Sequence, residues 1–141
     1  MHMHSLNWFA ILVAAVATMI LGFLWYSPFL FGKAWAREMG YDLSDKAKMD
    51  EMRKSAGPAY AGSFVAGLLS AFTLALILQG LRAESLHFGL TAGFHIWLGF
   101  VATVQFTGAL FAKQSMKLFA INTVYQLVCY LVMGAIFVLW K

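Results

Sequence analysis

Charge is missing from most of this sequence. No aspartate, glutamate, lysine or arginine occurs at 6–27, 58–81, 85–112 or 118–140, and charged residues make up only 11% of the 141. A soluble domain of average make-up carries about 25%. With 62% hydrophobic residues and a mean hydropathy of +0.75, the chain reads as a membrane protein. Cysteine is scarce too: Cys129 stands alone inside the fourth run, which excludes an intrachain disulfide and leaves the compartment unmarked. The leader MHMHS has no Lys or Arg, and the uncharged run after it outlasts the roughly 7–15 residues of a signal core, so the first run is expected to be retained.

These absences narrow the chemistry. Proton relays, ion pumps and voltage sensors place ionisable groups at mid-membrane depth, and here no Asp, Glu, Lys or Arg is found there. No serine or cysteine stands with a recognisable base and orienter, so an enzyme is not expected, nor a metal or cofactor. Gly32-Lys33 is not a phosphate loop: Ala34 follows where Ser or Thr is required, and Ser27 occupies the position of the earlier glycine.

What remains is four apolar runs, each longer than the roughly 20 residues a helix needs to cross about 30 Å of hydrocarbon. A backbone in that solvent must satisfy its own amides, and the runs are too long for barrel strands, so an all-α membrane protein follows. The expected spans are about 6–27, 58–81, 86–112 and 118–140, in two hairpins forming one domain over 1–141. The segment 28–57 is cytoplasmic. It holds Lys33, Arg37, Lys46, Lys48, Arg53 and Lys54, and the turn after the third span adds Lys113 and Lys117. Only Arg82 and Lys141 fall on the other side. Basic residues in short loops stay inside, which puts both termini outside. That bias explains the net charge of +4 without a nucleic-acid partner.

Within LGFLWYSPFLFGKAW, Trp25 and Tyr26 fall at headgroup depth, as aromatic belt residues do, with Trp35 beyond them. Ser27 before Pro28 predicts an N-cap and a new amphipathic helix lying in the interface, ending near Gly40. A short charged helix is predicted at 45–55, capped by Ser44. Small residues mark the packing faces, since helices in lipid associate by close backbone approach. Gly62, Ala66 and Ser70 recur down one side of the second span, Ala10, Ala14 and Thr18 line the first, and Gly89, Gly93, Gly99 and Thr103 line the third. These faces are expected to meet within the bundle. Their excess suggests a homodimer.

Two polar groups lie inside the spans. His95 is expected beside Gly134 and Ala135, bonded to a neighbour such as Thr91, with proton transfer or ligand binding as the functional alternative. Gln105, Asn122 and Gln126 fall at one depth and are expected to pair across helices. His2 and His4 have metal-friendly spacing without supporting ligands, the pattern of a frayed terminus.

The run GFLWYSPFLFGKAW with its following Gly40, WLGFV at 97–101, LFAKQSMKLFAINTVYQ and the closing MGAIFVLW resemble the bacterial domain-of-unknown-function family 1761. That resemblance implies a small four-helix inner-membrane protein and brings no activity, substrate or cofactor with it. The expected role is a non-catalytic membrane protein in a lipid bilayer, as a homo-oligomer or a subunit of a larger membrane complex. The alternative is a carrier or binding protein for a small solute or lipid-like ligand around His95, Gln105, Asn122 and Gln126. The orientation predicts that an impermeant thiol reagent on intact cells labels a cysteine introduced near position 83 and spares one at 48. Labelling at 48 from outside would reverse the assignment.

Overall fold

The computed structural model describes residues 5–140; His2 and His4 lie outside them. The described residues are all helix and connecting turns. In chain order the helices are α1 Trp8–Trp25, α2 Gly32–Glu38, α3 Lys46–Ser55, α4 Gly57–Gly80 and α5 Leu86–Ile96. A π-helical segment Trp97–Ala102 leads into α6 Thr103–Phe111, and α7 Met116–Leu139 closes the chain. Four helices are long and apolar enough to cross a membrane: α1, α4, α7 and the continuous rod Leu86–Phe111. Each start has a local cause. Asn7 accepts from the Ala10 amide, Ser85 from Phe88 and Ser115 from Leu118, and Pro58 sits in the first turn of α4.

The segment joining α1 and α4 departs from expectation at its start. Ser27 does not cap a helix, because its hydroxyl donates back to the Leu24 carbonyl at 2.6 Å. Residues 27–31 form turns, and α2 begins only at Gly32, seven residues long. Gly32 is required there: a Cβ would stand 2.3 Å from the Tyr26 carbonyl oxygen. The expected stop at Gly40 is present, with φ of +83° just beyond α2. Asp45, rather than Ser44, caps α3 by accepting from the Lys48 amide. Ser44 instead donates its amide and hydroxyl to Asp42, which holds that carboxyl below its ordinary pKa.

The most extensive packing lies between α5 and α7, followed by α1 with α4 and α1 with α7. The α5–α7 contact is backbone on backbone. A Cβ on Gly89 would stand 2.7 Å from the Gly134 carbonyl oxygen, one on Gly134 would stand 2.6 Å from that of Gly89, and one on Gly93 would stand 2.8 Å from that of Tyr130. Only glycine permits this approach. The α1–α4 contact is looser, with Gly67 facing the Thr18 hydroxyl. The core formed there includes Ile11, Ala14, Ala71, Leu74, Leu78 and, from α7, Met133.

Two predicted faces are corrected. Gly62 and Ala66 are exposed, and no atom lies within 4 Å of a Cβ built on Gly62. The packing side of α4 is the neighbouring one, through Gly67, Ala71, Leu74 and Leu78. In the third span Gly89 and Gly93 face α7 as expected, but Gly99 and Thr103 do not.

The π-helical segment explains the second correction. At about 100° per residue, an unbroken α-helix would put Ala109 about 200° from Gly89, away from α7. A π turn takes in one more residue per turn and removes about 100° of that rotation. Ala109 thereby returns to the α7 side, where it is buried. Trp97 anchors the segment, its indole donating to the Thr123 carbonyl at 2.8 Å.

Gly134→Ala should therefore destabilise the monomer by about 1–3 kcal/mol, read as a lowered melting temperature in mild detergent. Gly62→Ala should leave the same melt unchanged or slightly raised, since alanine is favoured over glycine in a helix by about 1 kcal/mol. Equal losses for the two would contradict the packing described.

Candidate functional site

The polar groups of the spans are met chiefly by backbone carbonyls. Along the third span the Thr91 hydroxyl donates to His87, Thr103 to Gly99 and Thr107 to Thr103, each four residues back. Such back-bonding satisfies a hydroxyl where no water is present. His95 joins the pattern, its Nδ1 lying 2.8 Å from the Thr91 carbonyl oxygen. A carbonyl only accepts, so Nδ1 carries the proton and Nε2 of the neutral ring is left as an acceptor.

His95 is exposed on the side turned from α7. The expected position beside Gly134 and Ala135 is thus corrected: Gly134 meets Gly89, and His95 lies about 240° further round the helix. The amides do not form one cluster either. Asn122 Oδ1 accepts from the Tyr26 hydroxyl at 2.7 Å, Gln126 is half-buried, and Gln105 Oε1 is buried without a hydrogen-bond partner. Gln105 follows His95 by ten residues, roughly 15 Å along the rod, so the two belong to different levels.

The convergence that does occur is aromatic, where α1 leaves its span and α7 enters its own. The Trp25 indole donates to the Ile121 carbonyl at 2.9 Å and Tyr26 to Asn122. Tyr125 donates in the opposite direction, to the Thr18 carbonyl at 2.9 Å. Trp25 and Tyr26 therefore tie α1 to α7. Trp35 extends the array: its ring lies 6.1 Å from Tyr26 and 5.7 Å from Tyr41. Ser115 closes the same end, its hydroxyl donating to Glu38 at 2.6 Å and so joining α2 to the start of α7.

Beside this array opens a cleft of about 620 Å³. Met19, Gly22 and Phe23 of α1 form one wall, Ala59, Tyr60 and Ser63 of α4 another, and Tyr26, Trp35, Tyr41 and Tyr125 the aromatic floor. Met52, Arg53 and Ala56 close the end away from the spans. Gly22 keeps the floor in place, since a Cβ there would meet the Tyr125 hydroxyl at 2.9 Å. A smaller cavity of about 280 Å³ lies at the opposite end, lined by Asn7, Gln79, Arg82 and Glu84 among others. The sequence signal for the larger cleft was available: Tyr26 and Tyr60 bracket the charged segment and Tyr41 lies within it. Nothing in linear order revealed that they converge. Among the described residues no group of three or more His, Cys, Asp or Glu is placed to hold a metal.

Helices of these lengths with an aromatic cleft at one end define an all-helical protein compatible with a membrane. Residues 9–138 match the family model described as Protein of unknown function (DUF1761), and the chain belongs to that family. No curated protein and no solved structure matches it.

The Tyr26–Asn122 bond should contribute about 0.6–2 kcal/mol. Tyr26→Phe and Asn122→Ala are each expected to lower unfolding stability by that order, and the double variant by little more than either alone. Fully additive losses in a double-mutant cycle would mean that the two groups do not interact.

Proposed function

We propose that the protein is a non-catalytic component of a bacterial inner membrane, crossing it four times and working as a homodimer or as a subunit of a larger membrane complex. Both termini face outward, and 28–57 and 112–117 face the cytoplasm, in keeping with the eight basic residues of those two segments. On this reading the segment from Gly32 to Ser55 lies at the inner surface, with the charges of α3 in water.

One observation carries the assignment: among the described residues the Gly62 and Ala66 side of α4 has no partner. Gly62 and Ala66 are exposed, and Ser70, four residues on, is half-buried. The spacing is the small-xxx-small pattern by which membrane helices approach backbone to backbone. Its residues are too small to pack well against lipid chains and are suited to the same stripe on a second copy.

In liposomes at low protein-to-lipid ratio, cross-linking should trap dimers of the parent chain. Gly62→Ile should abolish them without changing the monomer's melt, because no atom of its own chain is displaced. His95→Ala should leave the dimer fraction unaltered. Dimers that survive Gly62→Ile, or disappear on His95→Ala, would move the interface elsewhere.

A further inference from the structure

The aromatic cleft has a polarity that runs along the helices. Its inner end is apolar: Met19, Gly22 and Phe23 lie two to six residues before the end of α1, inside the candidate span. Its outer end reaches Arg53 in the last turn of α3. Among the described residues Arg53 is the one lining residue with a formal charge, and no carboxylate lines the space. Its guanidinium is little used. The nearest acidic group is Asp50, a single contact at 4.0 Å with both side chains mostly exposed, and such a pair contributes little. The five guanidinium donors are therefore free to take a planar or tetrahedral anion.

The rings between these ends are arranged to hold a chain. Phe23 and Tyr60 meet edge to face at 5.4 Å across the opening between α1 and α4, and both are exposed there. The Tyr26 and Tyr125 hydroxyls are spent on Asn122 and Thr18, so their rings offer apolar surface. A site of about 620 Å³ falls inside the range of roughly 300–1,000 Å³ that small molecules occupy.

We propose that this cleft is a binding site for one anionic phospholipid of the surrounding leaflet, its phosphate on Arg53 and the upper part of one acyl chain between α1 and α4 along Met19, Phe23 and Tyr60. The charge selects the occupant. An aromatic cage alone would suit a quaternary ammonium, but a cationic headgroup would meet Arg53, which repels it. Access from the bilayer selects a resident lipid over a solute from water, because the cleft opens at the Phe23–Tyr60 edge between two helices that are otherwise lipid-facing. The dimer contact at Gly62 and Ala66 is on the adjoining side of α4, so the site does not depend on it.

The test is lipid retention read by native mass spectrometry. The protein is transferred from mixed micelles holding equal phosphatidylglycerol and phosphatidylcholine, and the lipids that remain bound are counted per protomer. The parent chain should keep one phosphatidylglycerol. Arg53→Gln should reduce its preference over phosphatidylcholine about fivefold, the effect of one interfacial cation. Arg53→Lys should retain most of it. Tyr60→Ala should weaken retention of both lipids, and Lys48→Gln, a nearby cation outside the cleft, should change nothing. Arg53 is exposed, so a melt that matches the parent confirms the fold of its variants. Equal retention of the two lipids, or an equal effect at Lys48, would overturn the proposal. Displacement of the bound lipid by stoichiometric oleate would overturn it as well, by assigning the cleft to a free single-chain anion.

Discussion

Two glycines that touch through their backbones fix the position of everything else. At Gly89 and Gly134 each residue occupies the space in which the other's side chain would stand. This closeness makes α5 and α7 a single unit and leaves α7 the helix against which α1 is registered. The indole of Trp25 and the phenol of Tyr26 cross from α1 to α7, and the phenol of Tyr125 crosses back to Thr18, two turns earlier on α1. None of those bonds would keep its length if α7 were displaced by the width of a methyl group. Tyr125 also supplies part of the cleft floor. The geometry of an aromatic site at one end of the helices is thus set by close packing towards the other.

The use of polar groups follows from the same economy of donors. Where water is absent, a side-chain hydroxyl or indole needs a carbonyl, and a helix has carbonyls to share. Thr91, Thr103, Thr107 and His95 use those of their own helix, whereas Trp25 and Trp97 use those of α7. The first kind leaves a helix self-sufficient and free to stay exposed. Only 11% of the most apolar stretch of the third candidate span is buried, against 39% of the fourth. The second kind links helices and specifies their register.

The lengths and limits of the four apolar helices were legible because charge and apolar runs act locally. Sequence placed the first at 6–27 and the structure at Trp8–Trp25; the last, at 118–140, became Met116–Leu139. The stop at Gly40 was legible for the same local reason. Facing direction was not. On α4 every side is apolar or small, so Gly62 and Gly67 look alike until a neighbour is placed. His95 and Gln105 share only an expectation from depth, which a sequence supplies; the azimuth of His95 follows from the regular turn of α5, whereas that of Gln105 depends on a change of helical type that composition does not announce. Ser27 was read as a cap from its proline neighbour, but its hydroxyl had a nearer carbonyl in Leu24. The cleft was the least legible feature, since its lining is gathered from α1, α4, α7 and the segment between α1 and α4.

The wider coil at Trp97–Ala102 can be regarded as an ordinary helix that has accepted a supernumerary residue. Excising one residue there would rewind the rod and turn its lower half by about a quarter of a circle. Ala109 would then swing away from α7 and Gln105 would lose its cover, while Gly89 and Gly93 above the cut stayed seated. The two halves of this helix are consequently separate rotors on one shaft, each indexed to α7 by its own small residue.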